Sequence, residues 1–152
     1  MSEQKNVTKD KAVQAAIRDG IEVGVKTEVV EIYEDLLHTI WDKIAPTLGT
    51  VTTAAILKRA VHRTKTEYSL FDYLQVTPEE GLVFDELKSH IGEKDSEALM
   101  SGFKELIANL FDILARLTGN ILVGELMKVI EGKNMDVGSF LVGAAAAQRK
   151  DR

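Results

Sequence analysis

Cysteine is absent from this 152-residue chain. Its absence removes disulfides, thiolate nucleophiles and cysteine-ligated zinc or iron–sulfur centres together. Aromatic residues make up only 6%, with a single tryptophan, Trp41. Long apolar runs are lacking too. The longest, Val137 to Ala147, is about half of the ~20 residues that a membrane span requires. The opening residues MSEQKNVTKDK are polar and carry no secretory signal, so a cytoplasmic protein is expected. Catalytic signatures are also missing. There is no G-x-S-x-G elbow, no phosphate-binding P-loop, no G-x-G-x-x-G and no H-E-x-x-H. The sequence therefore predicts no enzyme and no cofactor. A net charge of −5 disfavours nucleic acid as a partner unless basic residues gather locally.

What is present fits one soluble domain. The hydrophobic share is 45% and the charged share 28%, ordinary values for a globular protein. A chain of this size buries roughly 68–70% of its unfolded surface, enough for a core without metal or disulfide staples.

The strongest pattern runs from Leu99 to Leu117. Leu99, Phe103, Leu106, Leu110, Ile113 and Leu117 alternate at spacings of four and three, the seam of an amphipathic helix. Ile107 and Leu114 widen that seam. Glu97, Lys104, Glu105, Asp112 and Arg116 are expected on the opposite, polar side. A second helix is predicted over 28–45, with Val29, Tyr33, Leu36, Ile40 and Ile44 as its stripe and Leu37 and Trp41 beside it. Pro46 should stop or kink it at Ala45. Thr50 is the expected N-cap of a helix over 51–68 that buries Ala54, Leu57, Val61 and Thr64.

Ser69 and Asp72 suggest a capping box for a short turn, Leu70 to Leu74. Thr77-Pro78-Glu79-Glu80 reads as the start of a helix over 78–91. Gly81 keeps a competing reading open: an irregular Val76–Leu82 segment with one short strand pairing, then a helix from Val83. Asp95 or Ser96 caps the helix at 96–118, and Gly119 closes it. Asn120 then caps a helix at 121–131 that buries Leu122, Leu126, Val129 and Ile130. Ahead of all these, Val13, Ala16, Ile17, Gly20, Ile21 and Gly24 suggest a helix interrupted near Gly20, since interior glycine costs up to ~1 kcal/mol. Ser139, Gly143 and Ala147 repeat the small-residue spacing of Ala16, Gly20 and Gly24, so the two terminal segments are expected to pack together.

The predicted fold class is all-α: a single-domain helical bundle of about five core helices with optional terminal helices. Residues 1–8 are expected to form a flexible N-terminus, 9–132 the bundle, and 133–152 a tail that includes a short docking helix as its structured alternative. The sequence resembles no known family closely enough to carry a residue over.

Three constellations could carry function. Glu34 and His38, one turn apart, are matched by Glu86 and His90 at the same offset. Two such pairs facing one another could hold a divalent metal. Di-iron bundles use Glu-x-x-His at an offset of three, which neither pair matches, so a solvated acidic face is the preferred reading. Lys58, Arg59, His62, Arg63 and Lys65 form a basic patch for an anion or an acidic partner, or for pairing with the acidic helix before it. Trp41, Tyr68 and Tyr73 could line a pocket for a small molecule, although aromatics at helical spacing usually belong to the core. The expectation is a non-enzymatic regulatory or protein-interaction module of the signalling or sensory type. It would self-associate through helix faces or bind another protein. The alternatives are a small-molecule sensor and a metal-binding bundle.

Overall fold

The computed structural model describes residues 2–133 and residue 135, with side chains from residue 24 onward. The chain forms α1 (Ser2–Leu48), α2 (Thr50–Lys65), β1 (Gln75–Thr77), β2 (Gly81–Val83), α3 (Asp85–Ser89), α4 (Ser96–Thr118) and α5 (Asn120–Gly132). Single 3₁₀ turns at Ser69–Tyr73 and Ile91–Glu93 join the shorter pieces. The architecture is thus a helical bundle, as the sequence predicts, with one small antiparallel hairpin added.

The seam on α4 organises the core. Leu99, Phe103, Leu106, Leu110 and Ile113 are all buried, as are Ile107 and Leu114. Burial extends round to Ala108, Phe111 and Asp112, because α1, α2 and α5 each lie against this helix. Phe103 is the hub. Tyr33 of α1 stacks on it at 4.8 Å, and Phe71 meets it edge-on at 5.0 Å. Gly102 lets that arrangement form, since a Cβ there would run into the Phe71 ring and stand 3.3 Å from Tyr68.

Several local expectations are corrected. The backbone of α1 is unbroken from Ser2 to Leu48, through Gly20 and Pro46. Its 47 residues span about 70 Å, against about 35 Å for α4. Pro46 lies only two residues from the helix end and forfeits one hydrogen bond there. Gly49 ends the helix instead, at φ +86°, with its N–H donating to the Ala45 carbonyl at 2.8 Å. That residue alone separates α1 from α2, whose N-cap is Gly49 rather than Thr50.

Gly119, at φ +71°, closes α4 as predicted and also serves as the N-cap of α5, so Asn120 is the first helical residue instead of the cap. Asp95 caps α4, its carboxylate accepting from the Ala98 N–H at 2.7 Å. The 3₁₀ turn at Ser69–Tyr73 forms without the capping box, and Asp72 faces Lys65 instead.

The first part of the helix expected at 78–91 is instead a hairpin turn and strand. Thr77 does accept from the Glu80 N–H at 3.0 Å, yet this bond closes a turn between β1 and β2. Gly81 at φ +71° carries the chain into β2, and only Asp85–Ser89 is α-helical. The strand pairing of the competing reading therefore holds, while the helix it placed from Val83 starts at Asp85 because Val83 pairs with Gln75. The two terminal segments expected to pack together involve side chains outside the described residues, as does the tail at 136–152.

Two junction ends coincide in space. Lys43 meets Glu125 at 3.3 Å and Asp35 meets Lys133 at 2.6 Å, so α1 and α5 run antiparallel. Arg63 meets Asp112 while Tyr68 lies over Gly102, so α2 and α4 run antiparallel as well. The Gly49 and Gly119 corners consequently share one end of the bundle.

Candidate functional site

Helix α2 contains no aspartate or glutamate, in a chain that has 24 of them. Its basic residues divide by helical position. Arg63 turns toward α4, where its Nη1 donates to Oδ2 of Asp112 at 2.8 Å. Arg116 binds the other oxygen of the same carboxylate at 3.2 Å. Asp112 is 2% exposed, which corrects its expected place on a solvent face. Two guanidiniums supply the charge compensation that a buried carboxylate needs. Beside this node, Asn109 donates to the Thr64 hydroxyl at 3.0 Å, and Thr64 donates to the Ala60 carbonyl. These polar residues fix α2 against α4.

Lys58, His62 and Lys65 occupy positions i, i+4 and i+7 and face away from that node. With Val61 they form one wall of an open groove of about 450 Å³, whose other wall is Leu74, Gln75, Val76 and Thr77. Lys65 lies 3.4 Å from the exposed Asp72. Lys58, Arg59 and His62 are exposed and have no counter-ion among the described residues. Arg59 lies outside the groove lining. The basic patch read from the sequence is thus split, with Arg63 structural, Arg59 apart and the other three on one wall.

The acidic face of α1 does not neutralise that wall. Glu34 pairs with Lys88 of α3 at 2.7 Å, and Asp35 pairs with Lys133. The hydrogen bond to Glu34 raises the Lys88 ammonium above its ordinary range, with further attraction from Glu34, Asp85 and Glu31. Lys43 and Lys128 both approach Glu125, and the bond to Lys43 lowers its carboxyl.

The two Glu/His pairs do not converge. Glu34 is engaged by Lys88 and stands 4.0 Å from His38, whose ring lies near Phe84. Glu86 accepts from Gln75 at 2.9 Å, while His90 stacks on Tyr73 at 3.7 Å and contacts Glu93. Among the described residues no group of three or more His, Cys, Asp or Glu is placed to hold a metal ion. No described helix is long and apolar enough to cross a membrane.

The three aromatics proposed for a pocket also have separate settings. Trp41 packs over Gly81, whose Cβ position would be 3.3 Å from its ring. Tyr73 is taken up by His90. Tyr68, with Phe71, Lys94 and Leu99, lines a cavity of about 200 Å³. That is below the ~300–1,000 Å³ usual for small-molecule sites.

Sequence reasoning missed two features. The groove wall at Leu74–Thr77 was hidden by a proline-led signal that reads equally as a helix start. The α4 seam also overshoots the core: Leu117 lies on the core-facing line yet is 64% exposed. Ile121 is 80% and Val51 71% exposed, and all three lie at the end shared by the two glycine corners. No protein-family model matches the chain, and no curated protein or solved structure is significantly similar to it.

Proposed function

We propose that the protein is a non-enzymatic helical interaction module of the regulatory type, acting in the cytoplasm, that pairs with a second copy through the end bearing Val51, Leu117 and Ile121. The observation that carries this reading is Leu117. It continues the line of residues by which α4 builds its core, and at that position no described element covers it. Ile121 and Val51 extend the same uncharged surface around the two glycine corners. Two copies can bring such surfaces together without like-charge repulsion, whereas the acid-free wall of α2 would repel its own copy. The non-enzymatic reading is supported by the use made of buried polar groups. Thr53 and Thr64 back-bond to carbonyls of their own helix or its cap, and Asp112 is held by two arginines.

Three aliphatic side chains fall well short of the ~800 Å² per partner of a standard interface, so the pairing is weak and concentration-dependent. Light scattering over a wide concentration range tests it. The expected result is a mass that rises toward twice that of the monomer, and a fixed monomer mass for Leu117→Glu/Ile121→Glu. A wild-type mass that stays monomeric at every concentration overturns the proposal.

A further inference from the structure

The groove between α2 and β1 is a different face of the molecule, and its reading does not depend on self-association. Its helical wall presents Lys58, His62 and Lys65, with one acidic neighbour, Asp72, on its rim. Its other wall is Leu74 and the three residues of strand β1. β1 pairs with β2 on one side only, through Gln75↔Val83, Val76↔Leu82 and Thr77↔Gly81. Among the described residues its other edge has no strand partner, and no turn or loop backbone hydrogen bond uses residues 75–77. An open strand edge is a template for a further strand unless the protein blocks it. β1 packs against α2, and the two share an open groove lined by Lys58, His62 and Lys65.

We propose that this groove binds an acidic peptide segment of a partner protein, in extended form, as a third strand beside β1. Backbone hydrogen bonds to β1 would hold the segment, and the cations of α2 would select its side chains. The spacing fits. Residues two apart in a strand are about 6.6 Å apart and project to the same face. Lys58 and His62 are about 6 Å apart along the α2 axis. Carboxylates at alternate positions of the segment therefore fall opposite Lys58 and the His62 imidazole, which can donate a hydrogen bond to one of them. Asp72, 3.4 Å from Lys65, is the acidic group at the rim and disfavours acidic residues at that end. A nucleic acid strand would use the cations and leave the β1 edge unpaired, so the open edge favours peptide.

The test uses the full chain and a short dye-labelled peptide of alternating glutamate and valine, followed by fluorescence anisotropy. Saturable binding is expected, weakening steeply with added salt. Lys58→Glu/His62→Glu alters two exposed side chains, and a circular dichroism spectrum checks that the variant keeps its fold. Its affinity for the peptide should fall at least about tenfold. The same peptide with N-methylated amides keeps its charge and cannot pair as a strand, and it should lose binding. Absence of saturable binding overturns the proposal. So does equal binding of the N-methylated peptide, which would leave a plain anion site. Tighter binding of a single-stranded oligothymidylate than of the peptide would assign the groove to nucleic acid instead.

Discussion

Raising the pH probes the centre of the core through one hydroxyl. Tyr33 is 5% exposed and lies flat on Phe103, with 1° between the ring planes. Burial makes its phenolate costly and pushes its pKa from 10.0 up to about 12. Two decades in proton affinity correspond to about 2–3 kcal/mol. The folded-state value is above the unfolded one, so the protonated folded form is favoured. That contribution is complete below pH 10 and is lost as pH rises through about 12. Tyr33→Phe keeps the stacked ring and removes the titration. Wild type should therefore lose about 2–3 kcal/mol relative to Tyr33→Phe across that window, read by urea unfolding at stepped pH. In parallel, the tyrosinate absorbance present in wild type and missing from Tyr33→Phe should rise with a midpoint near 12. A midpoint near 10 in the folded protein, or a stability difference that does not change with pH, would refute the reasoning.

Other perturbations follow from single contacts. Gly102→Ala drives a methyl group into the buried Phe71 ring and should cost about 1–3 kcal/mol in chemical denaturation; an unchanged midpoint would mean that the ring has room to move. Arg63→Met leaves one oxygen of buried Asp112 without its partner, a loss expected near the lower end of about 3–5 kcal/mol because Arg116 remains. Combining it with Asp112→Leu should recover part of that loss, so simple additivity in the double-mutant cycle would contradict the buried node. Gly81→Val combines a side chain at φ +71° with contact against Trp41. It should cost about 1–3 kcal/mol and shift Trp41 emission, and an unchanged spectrum would show that the indole is not packed there.

Periodicity made the core legible because it records which face of a helix must leave water. Leu36, Ile40, Leu57, Leu106 and Leu126 all lie where their spacing places them. Periodicity does not say where the covering elements stop, and so Leu117 is misread. Nor does it recognise a carboxylate buried by two arginines, since Asp112 carries the same letter as a surface aspartate. The hairpin was hard to read because Thr77 and Pro78 satisfy a turn by the same hydrogen bond that would cap a helix. Within the basic patch, residue types were readable but their division was not. Whether Arg63 or Lys58 faces α4 depends on the antiparallel docking of α2, a relationship formed by residues 49 positions apart.

The corners at Gly49 and Gly119 leave the bundle without slack. Each reverses the chain with a single residue between two helices. Adding one residue at either point would force a choice between a bulged corner and a following helix rolled by about 100° around its axis. For α2 such a roll would swing Arg63 off Asp112 and carry Lys58 and His62 out of the groove together. The Arg63–Asp112 anchor and the basic wall of the groove are therefore set by the same angle, and a change in chain length at one glycine would reset both.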